Sequence, residues 1–146
     1  LIFCCTLMER NFLAMKLIFA TLLIIPLVEC SLQKVAAKGK LMCGNKPASN
    51  VQVKLVDKDV ISDDVLDKKT TDNSGNFYVE GSADELTKID PVLKIYHTCD
   101  HSLLCKRRWS LKIPSHYIVK GNQQPKPMDF GTMNLEARLE EDRNCI

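Results

Sequence analysis

Polar and apolar positions alternate along most of the chain. Val51, Val53 and Leu55 stand against Gln52, Lys54 and Val56, the two-residue period of a strand with one buried face. The stretch "PVLKIYHTC" sets Leu93, Ile95, His97 and Cys99 against Lys94, Tyr96 and Thr98, and "RRWSLKIP" repeats the pattern with Trp109, Leu111 and Ile113. Near the end, "PMDFGTMNLEARL" places Phe130, Thr132 and Asn134 on one face and Met133, Leu135 and Ala137 on the other. "KVAAKGKLMC" opens the series, and "KTTDNSGNFYVEG" reads as strand, turn and strand. The acidic "VISDDVLDKK" predicts a loop or an edge segment. Ser82 followed by Glu85 has the spacing of a capping box, which predicts one helical turn there. Pro91 and Pro114 fall at strand boundaries, where a missing N–H is harmless. With no long helical period, the pattern predicts an all-β sandwich of about seven or eight strands and at most one short helix.

One apolar run breaks the pattern. It extends from Leu17 to Val28, follows Lys16 and ends at Glu29-Cys30-Ser31. Its flanks are those of a cleaved signal peptide with the cut before Ser31. It contains Pro26 and falls short of the roughly twenty residues that span a bilayer, so a membrane-spanning helix is not expected. The expected organisation is upstream sequence at 1–14, a signal peptide at 15–30 and an exported domain at 31–146. A lipidated Cys30 is the rival, disfavoured because Glu29 occupies a position that needs a small residue. The exported domain keeps Cys43, Cys99, Cys105 and Cys145, an even count that reads as two disulfides in an oxidising compartment. Three connectivities are open. Proximity in sequence favours Cys99 with Cys105, which leaves Cys43 with Cys145. Closing that loop is worth on the order of 4–5 kcal/mol in the chain-entropy picture.

Charge excludes one class of partner. The 20 basic and 18 acidic residues give a net charge of +2, without the dominant basic stripe of a nucleic-acid binder. No Asn-x-Ser/Thr glycosylation acceptor is present. The segment "HTCDHSLLCKRRW" concentrates the candidate chemistry. His97, Cys99 and His101 share a strand face and with Cys105 offer two nitrogen and two sulfur ligands to zinc. Oxidation of the cysteines and the core phase of His97 argue against a metal, and neither metal nor cofactor is expected. A cysteine nucleophile with His97, His101 or His116 as base fails for the same reason, because a disulfide supplies no thiolate. Asp57, Asp59, Asp63, Asp64 and Asp67 invite a calcium reading but lack the glycine and terminal glutamate of an EF-hand loop. Lys106, Arg107 and Arg108, with Lys112, Lys120 and the neighbouring Trp109, form a candidate contact for an anionic surface, a phospholipid or a receptor. The competing account is a charged strand edge that blocks edge-to-edge pairing.

The segments "KGKLMCGNKPASNVQVKLVDKD", "TDNSGNF", "IDPVLKIYHTC", "CKRRWSLKIP" and "DFGTMNLEARL" with "DRNC" occur in that order. From about Gln33 to Cys145 the chain resembles the nematode transthyretin-like proteins. Within "TDNSGNF", Thr71 opens the turn, Asp72 is suited to hold it through its side chain, Gly75 to take a positive φ, and Phe77 to re-enter the core. Trp109 and Met128 depart from the residues usual in that family. The resemblance implies a secreted transthyretin-like sandwich, without catalysis, with a cell-surface or extracellular role and no one ligand; the expected function is extracellular recognition of a cell-surface, lipid or small apolar partner. Hydroxyisourate hydrolases share the sandwich but rely on a His/Arg constellation and a Tyr-Arg-Gly-Ser tail. This chain ends "EEDRNCI" and has no histidine before His97, so that enzyme is the disfavoured alternative. Carriage of a small hydrophobic ligand is the third reading.

Overall fold

A computed structural model describes residues 30–59, 62–100 and 106–139 of the chain. The apolar run 17–28, His101, Cys105 and Cys145 lie outside them. Among the described residues nine strands occur in order: β1 (Ser31–Cys43), β2 (Lys46–Pro47), β3 (Gln52–Asp57), β4 (Asp64–Thr70), β5 (Asn76–Glu85), β6 (Pro91–His97), β7 (Arg107–Lys112), β8 (Val119–Lys120) and β9 (Met128–Asn134). A 3-10 turn spans Ser115–Tyr117. The expected all-β sandwich is what forms, and among the described residues no helix is long and apolar enough to cross a membrane.

The first sheet is organised on the long β1. Antiparallel β5 runs along Ser31–Lys40, and β2 folds back on the same edge at Met42 and Cys43. The opposite edge receives β8 antiparallel at Gln33 and Lys34, then β9 parallel from Ala37 to Met42. The second sheet has the order β4-β3-β6-β7 with every pair antiparallel. Alternation turns Val35, Ala37 and Leu41 of β1 and Phe77 and Val79 of β5 inward, against Val53, Leu55, Leu93, Ile95 and Trp109 of the second sheet. Each of the Val, Leu, Ile and Phe side chains among them contributes roughly 1.5–3 kcal/mol on leaving water, and together they hold the layers face to face.

Two local expectations fail, for different reasons. Ser82–Glu85 is not helical: these residues extend β5 and pair with Lys34–Ser31. A lone helical turn carries a nucleation cost, whereas the antiparallel β1 ladder supplies hydrogen bonds to alternate residues of the extension and a cross-strand neighbour to each. In β9 the two-face pattern breaks at a register shift opposite Lys38 and Lys40, where Gly131 takes φ +64° and its N–H donates to Asp129 Oδ1 at 2.8 Å. The extra residue reverses the phase. Met128 and Phe130 are therefore half-buried ahead of the bulge, and Met133 and Leu135 turn inward after it.

Polar ties close the sandwich around its rim. Gln33, almost fully buried, donates through Nε2 to the Thr87 carbonyl at 2.6 Å and accepts the Ile89 N–H at 3.2 Å. Along one side Asp67 of β4 accepts the Glu80 N–H of β5 at 3.0 Å, joining the edges of the two sheets.

Candidate functional site

The Thr71–Phe77 turn is a structural device. Thr71 is buried; its hydroxyl donates to the Ala48 carbonyl at 2.6 Å and accepts the Val51 N–H at 2.9 Å. Asp72 Oδ1 accepts the N–H groups of Ser74 and Asn76, each at 2.8 Å, and Oδ2 takes the Asn76 amide at 3.1 Å. Those bonds, led by the Asn76 backbone, hold the Asp72 carboxyl below its ordinary pKa. Gly75 has φ +81°, and a Cβ there would stand 2.3 Å from the Leu41 carbonyl oxygen. The turn thus docks against the end of β1, and Phe77 follows it into the core.

The 97–109 stretch does not assemble as the spacing of its residues predicts. Cys43 is bonded to Cys99, with the α-carbons 5.7 Å apart. This corrects both favoured pairings, Cys99 with Cys105 and Cys43 with Cys145. The reason is tertiary: Cys43 ends β1 in one sheet, Cys99 follows β6 in the other, and the two ends meet at the same rim of the sandwich. Zinc ligation through Cys99 is lost with its thiol. Glu136 brings a carboxylate close to the two sulfurs, but bonded sulfurs carry no thiolate to share an ion. His97 is buried and meets Trp109 edge-on, with ring centroids 5.6 Å apart and planes at 82°.

The basic cluster also divides. Arg107 is 3% exposed, and its guanidinium donates to the carbonyls of Leu135 and Ala137 at 3.4 and 3.1 Å. It ties β7 to the chain leaving β9, which corrects its assignment to a surface contact. Alternation forces the outcome, because Arg107 shares the face of Trp109 while Arg108 points outward half-buried. Lys106 is exposed.

The acidic residues likewise take separate roles. Asp57 is buried and accepts the Asp90 N–H at 2.7 Å, and burial raises its pKa. Asp63 pairs with Lys94, and Asp67 with Lys69 at 3.1 Å. A groove of about 330 Å³ lies on the first sheet where the β9 bulge parts from β1, lined by Lys38, Lys40, Asn76, Asp129 and Thr132 among others. Its charges are internally satisfied in part, since Lys38 pairs with Asp129 at 3.3 Å.

An outward surface of the second sheet went unnoticed in the linear pattern. Cross-strand register sets Lys68, Lys54, Lys94 and Ser110 in one row across β4-β3-β6-β7. The adjacent row holds Thr70, Gln52, Tyr96 and Arg108. Four of these eight residues are basic and none is acidic. Each lysine occupies the polar phase of its own strand; their alignment exists only once the register is set. Lys54 Nζ stands 5.1 Å from the Tyr96 ring centroid.

Comparison with known proteins matches residues 38–114 to the transthyretin-like family. Transthyretin-like protein 46 of Caenorhabditis elegans is 47% identical over 119 residues, covering 78% of this chain and 66% of that protein, just under two thirds of its length. Transthyretin-like proteins 33 and 5 of the same organism are 41% and 39% identical over 118 residues, covering 78% of this chain and 82% and 85% of their own. Among solved structures, part of a 9R-lipoxygenase from Cyanothece aligns over 81% of this chain and 18% of that one with TM-score 0.41 and 25% identity, too distant a likeness to carry an argument.

Proposed function

Because this chain belongs to the transthyretin-like family, we propose that it is a secreted, non-enzymatic protein that recognises an extracellular partner at a cell surface. One observation carries the reading: among the described residues Cys43, Cys99, His97 and Arg107 are committed to the framework, while a cationic sheet face is only partly neutralised. Cys43 and Cys99 are oxidised to each other, His97 is packed on Trp109, and Arg107 holds the carbonyls beyond β9. An inter-sheet disulfide is in keeping with export, since reducing compartments keep thiols free. Binding at a pre-formed sheet face asks for little reorganisation of the fold.

Fluorescently labelled protein, purified in oxidised form, tests the proposal on cultured nematode cells. Saturable retention on intact cells, displaced by unlabelled protein, is the expected result. Retention that fails to saturate, or turnover of hydroxyisourate by the purified protein, overturns it.

A further inference from the structure

Resting on the extracellular-binding reading, we propose that the outward face of β4-β3-β6-β7 docks a sulfated polysaccharide, held by Lys54, Lys68 and Arg108. The placement of charge is the starting point. Lys54 stands directly opposite Lys68 on one side and Lys94 on the other. Like charges facing each other across strands are destabilising. Relief is only partial: Asp63 pairs with Lys94, and the Tyr96 ring lies beneath Lys54. Among the described residues Lys54, Lys68 and Arg108 have no carboxylate partner. The first sheet's outward face differs. There Lys34, Lys38 and Lys40 are interspersed with Glu80, Asp84 and Asp129. Unbalanced charge is therefore a property of one face, in a chain whose net charge is only +2. A bound polyanion removes the repulsion that the sheet carries alone.

Geometry selects the kind of anion. From Lys68 on β4 through Lys54 on β3 and past Tyr96 on β6 to Arg108 on β7, the track crosses three strand spacings, about 14 Å. A single phosphate needs donors that converge; these diverge along a line. A membrane would want apolar side chains to insert. In the next row Val56 and Val92 are buried, and only Val65, at the β4 edge, is 55% exposed. An extended chain bearing several sulfates matches a line of long cationic side chains across a sheet face. Such binding falls steeply with salt, because each contact releases a counterion.

Heparin is the probe, with the full exported chain as the protein. Three forms are compared at several salt concentrations: wild type, the combined Lys54→Gln/Lys68→Gln/Arg108→Gln change, and Lys34→Gln/Lys38→Gln/Lys40→Gln, which removes equal charge from the opposite face. The first combined change should weaken heparin binding at least tenfold and lower the slope of log Kd against log salt by about two. The opposite-face change should stay within twofold of wild type, and desulfated heparin should not bind. Melting temperatures at or above wild type for the first variant show that it folds, because the change relieves like-charge contacts. Lys54→Arg with Lys68→Arg should retain binding. Equal weakening by both Gln variants, or weakening by neither, overturns the proposal; so does tighter binding to phosphatidylserine vesicles or polyglutamate than to heparin. Saturable cell retention that survives the Gln changes and excess heparin rejects the polysaccharide while leaving cell-surface recognition intact. Heparin binding without any saturable cell retention rejects the cell-surface reading instead.

Discussion

Gly75 shows how much one position can depend on its neighbours. Its φ of +81° already disfavours any L side chain, and the Leu41 carbonyl fills the space a Cβ needs. Gly75→Ala should cost about 2–4 kcal/mol in urea unfolding. Arg107 and Lys106 are adjacent in sequence but opposite in environment. Arg107→Ala strips the Leu135 and Ala137 carbonyls of a donor, empties a buried side-chain site and should cost about 2–4 kcal/mol, whereas Lys106→Ala should stay within about 0.5 kcal/mol of wild type. Asp72 and Asp57 respond to pH with opposite sign. The stabilisation from Asp72, whose pKa is lowered, is present above the ordinary carboxylate value and lost as pH falls through the lowered one. That from Asp57, whose pKa is raised, is complete below its ordinary value and lost as pH rises through the raised one. Melting temperatures measured from neutral to acid pH should fall less steeply for Asp72→Asn than for wild type. For Asp57→Asn, the variant should lose ground against wild type as pH falls. Profiles parallel to wild type in both would refute the assignments.

Among the elements, β5 illustrates competition between local signal and partner. Ser82 and Glu85 have helix-capping spacing, but β1 extends far enough to pair with them. In an extended strand Ser82→Val should leave stability unchanged or slightly raised, since a branched side chain suits the pleat. Loss of an N-cap would instead cost about 1 kcal/mol, a difference resolved by denaturant titration. The β9 bulge makes a related point. Period-two reading assigns faces correctly only up to Gly131, because one inserted residue reverses all that follow. By contrast β3, β6 and β7 follow their alternation closely, and Val53, Leu55, Leu93, Ile95 and Trp109 are all buried.

At the scale of the whole molecule, the Cys43–Cys99 bond closes a separation of 56 residues and joins the two sheets. In the chain-entropy picture such a loop is worth about 4 kcal/mol. The expected cleavage before Ser31 would leave Cys105 and Cys145 as the remaining cysteines, and the prediction is that they pair. Non-reducing peptide mapping of the oxidised protein should recover Cys43–Cys99 and Cys105–Cys145 peptides and no free thiol in residues 31–146. A thiol reagent that labels Cys105 or Cys145 would reject the second bridge.

Alternation, turn residues and the "TDNSGNF" motif sufficed to specify an all-strand, two-layered protein, because side-chain phase and turn geometry are local properties of the chain. They also located Phe77, His97 and Trp109 on the buried side. Bridge partners, the inward turn of Arg107 and the alignment of Lys54, Lys68 and Lys94 were settled only by tertiary structure. Each depends on which strands become neighbours and in what register, and residues distant in sequence acquire those relations only when the sheets pair and stack.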